Sequence, residues 1–112
     1  MRPVTLPTVG SQAASSVCPL DYRAGNPQVS LQLIVTGTNT STVQVTDDDV
    51  YATDYVAASG NWFNCPVAAL VGATASQIAT MSGLFTAVRL NVTAYTNGGA
   101  TLKIVPASNI GA

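Results

Sequence analysis

The sequence predicts an all-β fold: a single-domain antiparallel β-sandwich or jelly roll of about seven to eight short strands. Three observations carry that prediction. Apolar and polar residues alternate with a period of two in several segments, the mark of half-buried strands. The polar fraction is mostly Thr, Ser, Asn and Gly, while Glu is absent and Lys occurs once, which favours pleated surfaces and turns over helices. Turn signals separate the alternating segments at short intervals. A length of 112 residues allows one domain, and a hydrophobic fraction of 47% supplies one core.

Residues 1–28 are expected to form an N-terminal arm packing on the domain or on a neighbour, and residues 29–112 the sandwich core. In the arm, Val4, Leu6 and Val9 suggest an edge strand, because Pro3 and Pro7 cannot donate to a central ladder. SQAASS at 11–16 reads as a loop or weak strand, VCPLDYR at 17–23 as a second short extended piece, and GNP at 25–27 as a turn. In VSLQLIVTG, 29–37, Val29, Leu31, Leu33 and Val35 share one face. After a Gly37-Thr38-Asn39-Thr40 turn, Val43 and Val45 alternate with Thr42, Gln44 and Thr46, so the two segments are expected to pair as a hairpin.

Residues 47–61 are polar, hold four of the five acids, and read as a long functional or interface loop. WFNCPV at 62–67 is a short strand closed by Pro66. Residues 68–83 stay open between a helical turn near 67–72 and loops with a short strand. At 87–96, Val88, Leu90, Val92 and Ala94 alternate with Arg89, Asn91, Thr93 and Tyr95; at 101–106, Leu102 and Ile104 oppose Thr101, Lys103 and Val105. Asn97-Gly98-Gly99 between them signals a tight turn, so a C-terminal hairpin is expected.

Charged residues make up 8% of the chain, against about 25% in an average soluble domain. A surface so poor in charge tends to associate, and a homo-oligomer, trimer or dimer, is expected. Four Lys/Arg nearly balance five Asp with no basic stripe or cluster, which argues against nucleic-acid and membrane partners. Met1-Arg2-Pro3 is not followed by a continuous apolar run, so no targeting segment is expected. Cys18 and Cys65 could form a bridge, but two small buried apolar residues is the favoured reading.

The residue inventory gives little support to catalysis. With no His and no Glu, the commonest general base and a Ser-His-Asp arrangement are missing, and no phosphate-binding glycine motif occurs. No enzyme activity, cofactor or metal is expected. The one charged constellation, Asp47, Asp48, Asp49 and Asp54, has three readings: a hard-cation site, turn capping through the backbone, or a salt bridge from one Asp to Arg89 or Arg23. Trp62 and Phe63 are adjacent and should point to opposite faces of a strand, one into the core and the other into a covering loop or a subunit interface. Tyr51 and Tyr55 share the interface reading, and Arg2 and Arg23 join them as interface candidates.

Several segments together carry a resemblance: MRPVT at the start, PLDY at 19–22, VTGT at 35–38, TVQVTDDDV at 42–50, WFNCP at 62–66 and AVRLNVTAYTNGGATLKIV at 87–105. On these the chain resembles a family of small structural proteins of tailed-bacteriophage virions. The resemblance implies a capsid decoration (cement) protein that stabilises the assembled head. Its partners would be the major capsid protein and copies of itself, and its location the virion after synthesis in the host bacterial cytoplasm. The alternative is a host-surface or glycan-binding module on a head or tail fibre, with Trp62, Tyr51, Tyr55 and the aspartates as a sugar platform.

Overall fold

The structure, a computed structural model, describes residues 4–20, 28–48, 60–82 and 85–107. They form eight strands: β1 (Val4–Thr5), β2 (Cys18–Pro19), β3 (Gln28–Thr36), β4 (Asn39–Thr46), β5 (Phe63–Asn64), β6 (Gln77–Ser82), β7 (Ala87–Tyr95) and β8 (Gly99–Ala107), with a 3-10 turn at Ala68–Leu70. Two four-stranded antiparallel sheets face each other, in the orders β1-β8-β3-β6 and β2-β7-β4-β5. Successive strands alternate between the sheets almost throughout, which is the jelly-roll arrangement. The all-β sandwich predicted from period and composition is the observed fold.

The alternating residues meet between the sheets. Leu31, Leu33, Leu102 and Ile104 from one sheet and Val43, Val88, Leu90 and Val92 from the other are fully or almost fully buried in one cluster. Fully burying each such side chain contributes about 1.5–3 kcal/mol. Leu70 joins the same cluster, and the 3-10 turn that carries it lies against both β6 and β4, so it closes the core on that side. The segment left open at 68–83 therefore holds both the short turn and a six-residue strand.

Neither expected hairpin forms. β3 and β4 lie in different sheets, as do β7 and β8. Instead β3 pairs with β8 over their full length, from Gln28↔Ala107 to Thr36↔Gly99, and β4 pairs with β7 from Asn39↔Tyr95 to Thr46↔Ala87. Each presumed hairpin turn is an arch carrying the chain across the core, and the two arches lie side by side. Thr38 N–H donates to the Asn97 carbonyl (3.1 Å), while Thr96 N–H (2.9 Å) and Asn97 N–H (3.1 Å) donate to the Thr38 carbonyl. The alternation was legible, but a two-residue glycine turn fits either an arch or a hairpin. The long-range pairing decided between them, because each strand is covered over eight or nine residues by a partner distant in sequence.

The arches approach so closely that glycine is required. Gly37 and Gly98 have φ of 73° and 79°. A Cβ on Gly98 would overlap the Thr36 carbonyl oxygen, and one on Gly37 would overlap the Asn97 side chain. Asn39, read as a turn residue, is buried: its amide donates to the carbonyls of Thr36 (3.0 Å), Asn97 (3.4 Å) and Gly99 (3.4 Å), and its own carbonyl accepts from Ser41 Oγ (3.1 Å).

The arm packs on its own chain. β1 pairs with β8 at Lys103 and Ile104, Leu6 N–H bonds the Leu102 carbonyl, and Val9 exchanges both bonds with Ala100. The chain then crosses to the other sheet. Ala14 bridges to Asn91, Ser15 N–H bonds the Leu90 carbonyl, β2 pairs with β7 at Ala87 and Val88, and Leu20 N–H bonds the Thr86 carbonyl. Leu6, Val9, Cys18 and Leu20 belong to the core cluster. The arm's described residues 4–20 cover the outer edges of β8 and β7 of the same molecule. Cys18 and Cys65 are both buried and free, as the favoured reading of the cysteines had it.

Two outcomes follow for the arches. Gly98→Ala forces a side chain into both a left-handed backbone and an occupied space, so it should destabilise by more than about 3 kcal/mol in urea unfolding. Asn39→Ala, which removes the amide that three carbonyls share at the crossing, should cost about 1–3 kcal/mol in the same measurement.

Candidate functional site

Chemistry-bearing side chains collect where residues 60–66 return to the outer side of β4. β5 pairs with β4 through Val45↔Phe63 and Gln44↔Asn64, and Cys65 N–H bonds the Val43 carbonyl (2.9 Å). This brings Asn61 and Trp62 beside the ends of β4 and β7. Phe63, with 67% of its surface exposed, stands free of the core. Trp62 is half-buried and lies outside the core cluster. The expectation that one of the two aromatics fills the core is therefore corrected: β5 is an edge strand of two residues, and the core beneath it is already filled by Val43, Val45 and Cys65.

Trp62 carries a cation on its ring. The guanidinium carbon of Arg89 sits 4.4 Å from the indole centroid, and Arg89 Nε donates to Gln44 Oε1 at 2.9 Å. Gln44 and Arg89 are direct partners across the β4–β7 ladder, so their side chains rise from the same face. A cation over Trp contributes about 0.5–1 kcal/mol where exposed and more where desolvated. The indole face under Arg89 is not open to a ligand.

Asp48 ties the chain together at the two ends of residues 49–59. One carboxylate oxygen accepts from Asn61 N–H (2.7 Å) and the other from the Asn61 side-chain amide (3.3 Å). Its own N–H donates to Thr46 Oγ1 (3.1 Å), and its carbonyl accepts from Thr86 Oγ1. Thr46 Oγ1 in turn donates to the Asn61 carbonyl (2.8 Å). The donated Asn61 N–H holds the Asp48 carboxyl below the usual aspartate range; desolvation works against this, and the Asn61 and Thr46 side chains add to the lowering. The Asp48 carboxylate is thus spent on Asn61, thirteen positions further along the chain. Burial pushes both cysteine thiols up, which keeps them protonated and unreactive.

The clasp and the edge strand border a cleft of about 310 Å³ whose lining includes Val45, Asp47, Asp48, Asn61, Phe63 and Phe85. Its polar groups are the Asp47 and Asp48 carboxylates, the Thr46 hydroxyl and the Asn61 and Asn64 amides. Among the described residues no three His, Cys, Asp or Glu side chains gather to hold a metal ion. No described helix is long and apolar enough to cross a membrane.

Of the residues singled out from sequence, Asp47, Asp48, Trp62, Phe63 and Arg89 come together around β5 and the ends of β4 and β7. Arg2, Arg23, Asp49, Tyr51, Asp54 and Tyr55 lie outside the described residues, and with them the salt bridges and cation coordination proposed for Asp49, Asp54 and Arg23. Sequence reasoning missed Gln44, Asn61 and Phe85. Gln44 becomes visible only once β4 and β7 are known to pair, and Asn61 and Phe85 carry no local signal.

No protein-family model matches the chain, and no curated protein matches it. Among solved structures the chain is similar to one from the disulfide-linked pili that form Bacillus endospore appendages. That likeness has 19% identity and a TM-score of 0.44 and covers 96% of this chain and 88% of the other. At that TM-score it carries no argument about what this chain does.

The Asp48 clasp has a defined pH dependence. A carboxyl held low in the folded protein gives order that is complete above the ordinary aspartate range and is lost as pH falls through the lowered value. The Asn61 backbone amide should therefore keep its hydrogen-bonded NMR shift at neutral pH and lose it with an apparent midpoint below that of an ordinary aspartate. Asp48→Asn should abolish the titration.

Proposed function

We propose that the protein is a structural subunit of a bacteriophage virion, a capsid decoration protein that binds the assembled head and stabilises it, and that it is not an enzyme. The observation that carries this reading is a well-hydrogen-bonded sandwich whose surface is short of charge yet presents large apolar side chains. Phe63, Ile78 and Val105 are 67%, 69% and 47% exposed, on β5, β6 and β8. A lone soluble domain gains nothing from such positions, whereas a brick of a repeating shell buries them against neighbours. The jelly roll agrees, since it is one of the folds from which viral shells are built, and so does the resemblance of the quoted segments to tailed-phage structural proteins.

Stabilisation would work by linkage. A protein that binds the assembled shell and not the free capsid subunit shifts the assembly equilibrium by about 2.7 kcal/mol per site at a hundredfold excess over Kd. The contact surface is the cleft beside β5, with the exposed Phe63 in its lining. Arg89 and Asp48 are already engaged by Trp62, Gln44 and Asn61, and they act as scaffolding around it.

The purified protein should co-sediment with expanded capsid shells that lack it, leave free capsid protein unbound, and raise the melting temperature of the shells. Phe63→Ser should weaken co-sedimentation without lowering the melting temperature of the protein itself. Shells that neither retain the protein nor melt higher in its presence would overturn the proposal.

A further inference from the structure

The two margins of the sandwich are built differently. At the first, the arm covers the outer edge of β8 from Ala100 to Ile104 and that of β7 from Thr86 to Val92. At the second, β4 is covered along its length: by β5 at Gln44 and Val45, by Cys65 N–H at Val43, by Gly72 N–H on Thr42 Oγ1 (2.9 Å), and by Ala73, which exchanges both backbone bonds with Ser41. β6 is treated otherwise. It pairs with β3 on one side, from Gln28↔Ser82 to Leu33↔Gln77, and is last in its sheet on the other. Among the described residues it is the longest strand edge without a partner.

Proteins keep such edges apart with charge, proline, bulges or brevity. β6 has none of these. Its sequence is QIATMS, its six residues run in unbroken register with β3, and no residue in it is charged. The one charged side chain among the described strand residues of that sheet is Lys103 on β8, with β3 between it and β6. Ile78 stands 69% exposed on the outer face together with Thr80, while Met81 points into the core.

We infer that β6 is a self-pairing edge: it joins antiparallel to β6 of a second copy, across a two-fold axis, to make one continuous eight-stranded sheet. Three features select a second copy as the occupant. The edge is uncharged, so two identical edges meet without repulsion, and an isologous contact needs only that self-complementarity. Antiparallel pairing also preserves the two faces. With the axis at Ala79 or Thr80, outer residues Ile78, Thr80 and Ser82 meet one another, and inner residues Ala79 and Met81 do likewise. With the axis at Ala79, Ile78 lies opposite Thr80 of the second copy twice over, a pairing of β-branched side chains suited to a sheet. A strand of six residues buries less than the about 1,200–2,000 Å² of a stable standard interface, so the pair is weak and concentration-dependent.

This inference reaches beyond the decoration role and does not need it, because pairing is a property of the chain alone and is read without shells. In sedimentation equilibrium the protein should shift with rising concentration from 11.4 kDa toward twice that mass. The variant Ile78→Lys/Thr80→Lys sets like charges against one another at the axis. It should stay at 11.4 kDa over the same range, a weakening of roughly tenfold or more, with an unchanged melting temperature. An equimolar mixture with Ile78→Glu/Thr80→Glu should restore the doubled mass. A wild-type chain that remains monomeric at millimolar concentration, a lysine variant that still dimerises, or a mixture that fails to recover would each overturn the inference. Loss of shell binding with dimerisation intact would count against the decoration role alone.

Discussion

The fold depends on two arches that must cross the core at the same place. β3 and β8 pair residue for residue, and β4 and β7 pair along their length with one register shift between Thr40 and Ser41, so the β3–β4 and β7–β8 connections reach the same end of the sandwich and lie in contact. Each has to take the chain from one sheet to the other without leaving its carbonyls unpaired in the core. The solution is local: left-handed glycines at 37 and 98 let the backbones touch, and the Asn39 amide supplies donors to three carbonyls at the crossing. With the crossing fixed, the register of the four long strands is fixed, and with the register the identity of every inward-facing residue.

From that centre the molecule is finished unequally. The arm spends its backbone donors and acceptors on β8 and β7 and adds Leu6, Val9, Cys18 and Leu20 to the core, so one margin is sealed by the chain's own beginning. The other is sealed at β4 by short segments and by Leu70 beneath them, but β6 remains the last strand of its sheet. Scarcity of charge thus has a location. It is felt most at β6 and at Phe63, where exposed positions carry Ile, Thr and Phe.

The few charges that exist are used for construction. Asp48 holds Asn61, both residues are tied to Thr46, and Thr86 holds Asp48. Arg89 lies over Trp62 with Gln44 as its hydrogen-bond acceptor. Only part of this was legible beforehand. The aspartate run and the aromatic pair drew notice by type, since carboxylates cap and indoles anchor. Their partners did not, because Gln44 faces Arg89 only through a ladder that joins residues 45 apart, and Asn61 lies 13 positions from Asp48 in the chain.

What the sequence by itself determined is the class of fold, the strands at 29–36, 42–46, 87–95 and 101–106 and the core faces of Val29, Leu31, Leu33, Val88, Leu90, Leu102 and Ile104. It did so because side-chain alternation is a property of one strand and can be read without a partner. Only the tertiary structure decided that the glycine turns are arches, that the arm closes its own domain, that Trp62 lies outside the core and that β6 ends its sheet. Each of these depends on which distant strand lies alongside. Strand pairing is made by backbone groups that every residue carries alike, so it leaves little trace in the side chains that the sequence records.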